Sequence, residues 1–106
     1  MTFFYKRMDD GGPLHILDID HVFSILTYLE SRRGEKILAC ELRGIMPNYR
    51  RMMTIVRHLE EKELVTIHME TKPRKSYFLA LTPRGRTVAK KLVALDELIL
   101  SPTDFD

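Results

Sequence analysis

The sequence predicts a mostly helical α+β domain, with three helices, a β-hairpin and a long final helix in that order. Three observations carry this prediction. Apolar residues recur at helical spacing in three separate stretches between residues 18 and 64. The spacing then switches to period two over residues 65–69, and a second β-prone run follows at 77–81. Thr82-Pro83 finally opens a stretch in which helical spacing returns. A chain of 106 residues has room for one core, and 44% hydrophobic with 30% charged residues is a globular mixture. Three segments are expected: an N-terminal arm over 1–17, a compact domain over 18–82, and a C-terminal helix over 83–106.

The arm carries Phe3, Phe4 and Tyr5 before a break at Asp9-Asp10-Gly11-Gly12-Pro13. Asp18 or Asp20 is the expected cap of the first helix. Ile19, Val22, Phe23, Leu26 and Leu29 form its apolar stripe, and Gly34 ends it. A short strand is expected over 36–39. Residues 40–45 read as a second helix, anchored inward by Leu42 and Ile45. The turn Gly44-Ile45-Met46-Pro47-Asn48 follows, with Asn48 as the next cap.

The third helix is expected over 49–64. Met52, Ile55, Val56 and Leu59 give it a core face, while Arg50, Arg51, Thr54, Arg57 and His58 lie opposite. Val65, Ile67 and Met69 alternate with polar residues as a half-buried strand. The loop Thr71-Lys72-Pro73-Arg74-Lys75-Ser76 is polar and basic, with Pro73 stiffening it. Thr82 caps the last helix. Its Val88, Leu92, Leu95 and Ile99 make a coiled-coil-like seam, suited either to a second copy of the chain or to the chain's own first helix.

Charge is unevenly distributed. Residues 43–91 hold twelve Lys/Arg against four Asp/Glu, a net +8 in a chain whose overall charge is +2. A basic middle between acidic ends points to a surface that meets a polyanion. A short helix, a Gly/Pro turn, a cationic helix and a hairpin with a basic tip suit the major groove of B-form DNA.

The run from Tyr49 to Val65, ending Arg57-His58-Leu59-Glu60-Glu61-Lys62-Glu63-Leu64-Val65, resembles the recognition helix of MarR-like and PadR-like winged helix-turn-helix regulators. The hairpin and Leu81-Thr82-Pro83-Arg84-Gly85-Arg86 are similar to their wing and the helix after it. The resemblance covers roughly residues 18–100, and departs at Glu63, where these families usually carry glycine. It implies a winged helix-turn-helix fold and sequence-specific binding of double-stranded DNA by a small homodimeric transcriptional regulator. Helix 49–64 would then lie in the major groove and wing 66–81 on the backbone. Arg50, Arg51 and Thr54 are the expected base readers. Tyr49 either reaches a phosphate or packs on the second helix. Arg57, Lys72, Arg74 and Lys75 are the expected phosphate contacts. The dimer would form through the C-terminal helix and the arm. A small-molecule effector is left open, with the aromatic arm and the methionines as its only candidate lining.

The alternative is a winged-helix protein–protein interaction module in a larger complex, for which Met53 beside Thr54 is the one apolar hint. The single cysteine, Cys40, excludes an internal disulfide and a cysteine-rich zinc site. His15, His21, His58 and His68 are scattered, so neither a metal nor a cofactor is expected. No nucleophile–base pair or phosphate-cradling glycine loop supports an enzyme. Lys6 and Arg7 lead into Asp9-Asp10 rather than an apolar stretch, so no secretory leader is expected, and the cytoplasm is the expected location.

Overall fold

The computed structural model describes residues 15–101. A 3-10 turn (Ile16–Asp18) leads into α1 (Val22–Ser31), β1 (Ile37–Leu38), a 3-10 helix (Ala39–Gly44) and α2 (Tyr49–Glu61). Then come β2 (Val65–Glu70), β3 (Ser76–Leu81) and α3 (Pro83–Leu100). The strands form one antiparallel sheet in the order β1-β3-β2, with Ile37 opposite Leu79 and Val65 opposite Leu81. This is a winged helix: β2 and β3 are the wing, and the 3-10 helix with α2 is the helix-turn-helix pair.

The expected aspartate cap of the first helix is not used. His21 is the N-cap of α1, at φ 67°, and its side chain makes no capping bond. That left-handed residue separates the 3-10 turn from α1, so Ile19 precedes the helix and does not set its phase. The buried stripe is therefore Val22, Ile25, Leu26 and Leu29, while Phe23 is exposed. Ile16 and Ile19 both pack against the core. The arm's aromatic residues lie outside the described residues.

The second helix is a 3-10 helix over six residues, not an α-helix. Glu41 fixes it from within: Oε2 accepts from the Leu38 backbone N–H at 3.1 Å, and Oε1 accepts from the Arg32 guanidinium at the end of α1. Arg32 and then the Leu38 amide hold the Glu41 carboxyl below its ordinary range, and Glu41 in turn raises the Arg32 guanidinium. Leu42 is fully buried below this network.

Asn48 caps α2 as expected, its side chain accepting from the Arg51 amide. Met52, Ile55, Val56 and Leu59 are buried, and so is Met53. The helix ends at Glu61, three residues short of the expected Leu64. The chain turns there through Glu63 at φ 62°, a non-glycine residue in the left-handed conformation. Thr82 locks this corner: its Oγ1 donates to the Glu63 carbonyl at 2.6 Å and its amide to the Leu64 carbonyl at 3.0 Å. The same Oγ1 accepts from the Gly85 amide and caps α3.

α3 packs along α1. Arg86, near its start, faces Glu30, near the end of α1, so the two run antiparallel. Arg84 lies 3.5 Å from Glu63. These partners offset two cations placed where the helix dipole disfavours them. The expected seam is divided. Leu92 is buried and Val88 half-buried in the chain's own core, whereas Leu95 is 50% and Ile99 71% exposed. Ten residues of α1 span about 15 Å and eighteen of α3 about 27 Å, so α3 runs past its neighbour by about 12 Å.

Candidate nucleic-acid interface

α2 and the wing are brought together by their cores. Tyr49, at the start of α2, and Tyr77, at the start of β3, both pack against the central cluster. Their outer surfaces line two adjoining clefts. One, about 430 Å³, lies between the 3-10 helix and the wing and is bordered by Arg43, Arg74 and Lys75. The other, about 330 Å³, lies along α2 and is bordered by Arg50, Thr54 and Arg57. A third, about 360 Å³, continues past Arg50 and Thr54 to Asn48 and Arg51. The three form a chain of shared residues across one face, lined by six cations and no carboxylate.

Electrostatics sharpen this. Among the described residues, no carboxylate comes within salt-bridge distance of Arg43, Arg50, Arg57, Lys72, Arg74 or Lys75. Arg51 alone on this face is paired, its Nη2 lying 2.8 Å from Asp20 Oδ2 with both side chains more than half exposed. Two of the cations stand over rings: Arg43 at 5.4 Å from the Tyr49 centroid and Lys75 at 5.5 Å from that of Tyr77. Such contacts hold a long side chain in place without neutralising it.

Of the residues singled out from the sequence, Arg50, Arg51, Thr54 and Arg57 share the exposed side of α2, and Arg74 and Lys75 join them from the wing. Lys72 is exposed at the wing tip and borders none of the three clefts. Tyr49 is half-buried, packed against the core with Arg43 of the 3-10 helix over its ring. His58 turns to Glu61 at 3.6 Å. Met53 is only 7% exposed but lines the α2 cleft beside Arg50 and Thr54, so the apolar interruption expected in this face is present and small.

Sequence reasoning missed Arg43 and Tyr77. Arg43 belongs to the basic segment, but nothing in its spacing distinguishes it from a solvated helix residue. Tyr77 read simply as a β-prone residue. Among the described residues no group of three or more His, Cys, Asp or Glu is placed to hold a metal ion, and no helix is long and apolar enough to cross a membrane.

No family model matches the sequence, and no curated protein matches it either. Solved structures do. A transcriptional regulator homologue from Pyrococcus horikoshii OT3 superposes with a TM-score of 0.68 at 21% identity, covering 86% of this chain and 90% of the other. AF1382 from Archaeoglobus fulgidus gives 0.67 at 17% identity, covering 76% and 88%. A mutant of MepR from a multidrug-resistant S. aureus clinical isolate gives 0.63 at 13% identity, covering 74% of this chain and 60% of that one. The winged-helix fold expected from the sequence is thus the fold of a transcriptional regulator homologue.

Proposed function

We propose that this chain binds double-stranded DNA as a small homodimeric transcriptional regulator, with α2 in the major groove and the wing on the flanking backbone. The observation that carries this reading is the run of three clefts with six cations and no carboxylate, centred on the exposed side of α2. An arginine donates two parallel hydrogen bonds to the O6 and N7 of guanine, which makes Arg50 and Arg51 base readers at the start of the helix. Thr54, one turn on, suits a thymine methyl or a base-edge hydrogen bond. Arg51 exchanges Asp20 for DNA at little cost, because an exposed ion pair is worth about 0–1 kcal/mol. Arg57, Lys72, Arg74 and Lys75 serve as phosphate contacts that fix register without reading sequence.

The overhanging end of α3 is the dimer contact in this reading, through Leu95, Leu98, Ile99 and Leu100. Two recognition helices related by a two-fold axis then address half-sites about 34–36 Å apart, one helical turn of DNA. The regulator homologue of Pyrococcus horikoshii supports the reading at the level of the fold. Met53 lines the α2 cleft but is only 7% exposed, which gives the protein-interaction alternative little apolar surface on this face.

Selection from a random duplex pool, followed by replacement of Arg50 and Arg51 with glutamate, tests the assignment. The double variant should keep its thermal melt and lose binding to the selected sequence. Retained affinity for that sequence would reject α2 as the reading helix.

A further inference from the structure

We propose that the cleft between the 3-10 helix and the wing seats one backbone phosphate of the bound duplex, with Arg43 as an additional DNA contact. The inference rests on the DNA-binding reading above and extends it to an element outside both α2 and the wing. Three cations, Arg43, Arg74 and Lys75, border one concave surface of about 430 Å³ that no carboxylate lines. Like charges gathered in a concavity repel one another, and their field is focused between low-dielectric walls. An anion in the cleft relieves that repulsion.

Arg43 and Lys75 are held over the rings of Tyr49 and Tyr77 on opposite walls, so both charges are positioned before any ligand arrives. A guanidinium stacked on a ring keeps its N–H edge free, and phosphate accepts two parallel bonds from that edge. The seat opens onto the α2 cleft through the same two tyrosines. A phosphate here therefore belongs to a strand passing from the wing to the reading helix, which favours a polymer backbone over an isolated anion.

Two measurements on the full chain test this. The first is duplex affinity against salt for the wild type, Arg43→Gln and Arg43→Lys. Loss of one phosphate contact lowers the slope of log K against log [salt] by about 0.9, equivalent to roughly 8-fold weaker binding at about 0.1 M salt if the proteins bind equally at 1 M. Arg43→Lys should keep the wild-type slope. Arg43 is exposed and, among the described residues, its partner is the Tyr49 ring, so the glutamine variant should melt normally.

The second uses Cys40, the chain's one cysteine, which is exposed on the rim of the same cleft. Saturating duplex should slow its alkylation by N-ethylmaleimide several-fold. An unchanged salt slope in Arg43→Gln, with Cys40 unprotected while the wild type binds duplex, would overturn the seat and leave the DNA reading standing. Protection by millimolar inorganic phosphate without duplex would make a free anion the occupant and overturn the backbone assignment. Failure of the wild type to bind any duplex would instead remove the DNA reading itself.

Discussion

Gly85→Ala sets two physical effects of opposite sign against each other. Within a helix, alanine is favoured over glycine by about 0.8–1 kcal/mol, so propensity alone predicts a more stable protein. Packing predicts the reverse. A Cβ built on Gly85 lies 1.8 Å from the Leu64 carbonyl oxygen and 2.8 Å from its carbon, where real Cβ atoms essentially never come within 3.0 Å. The obstacle is backbone, and it is tied down: Leu64 O accepts from the Thr82 amide and Glu63 O from the Thr82 hydroxyl. Relief needs a movement of more than 1 Å between α3 and the corner after α2, which would disturb Ala89 and Leu92 in the core. Overpacking costs about 1–3 kcal/mol where side chains yield, and a fixed carbonyl places this case at or above the upper end. The net loss is about 2 kcal/mol or more, which for a domain of this size lowers Tm by about 10 °C. Thermal melting by circular dichroism, with urea unfolding beside it, reads the difference. A variant as stable as the wild type, or more stable, would refute the close approach at Gly85.

Three further outcomes follow from the same structure. Glu63→Gly should stabilise the domain by about 0.5–1 kcal/mol in urea unfolding, because glycine removes the left-handed strain at φ 62° and only an exposed contact with Arg84 is lost. The Glu41 carboxyl is held below its ordinary range by Arg32, so its contribution is full above the unfolded-state value near 4.5 and is lost as pH falls through the lower folded-state value. Glu41→Gln should accordingly be less stable than the wild type at pH 7, with the gap narrowing towards pH 3. Leu98→Asp with Ile99→Asp should convert the proposed dimer to a monomer in sedimentation velocity with little change in Tm, since both side chains are exposed within one chain. A dimer that persists would assign the contact elsewhere.

Much of this architecture was legible in the sequence because local chemistry and tertiary contacts agree. Asn48 and Thr82 cap the helices they were expected to cap, and Met52, Ile55, Val56 and Leu59 supply the buried face of α2. The reading failed where a single backbone residue changes phase. His21 in the left-handed region moves the start of α1, exchanging Phe23 for Ile25 in the core and releasing Asp20 to pair with Arg51. The 3-10 form of residues 39–44 is set by Glu41 bonding to Leu38 and to Arg32 of α1, a contact across nine positions that periodicity does not register. The candidate face is legible only in part for a similar reason. Cations on one helix face follow from spacing, but Arg43 and Tyr77 enter only when the wing folds against the turn before α2.

The most direct test of the account is fluorescence anisotropy of the wild-type chain with a random-sequence duplex, titrated across salt. The five cations assigned to phosphate, Arg43, Arg57, Lys72, Arg74 and Lys75, at about 0.9 each, set a slope of log K against log [salt] of about −4.5 per protomer. Binding at about 50 mM salt that weakens with a slope approaching that value is the expected result. No binding at about 50 mM, or an affinity indifferent to salt, would contradict the assignment of this face to DNA.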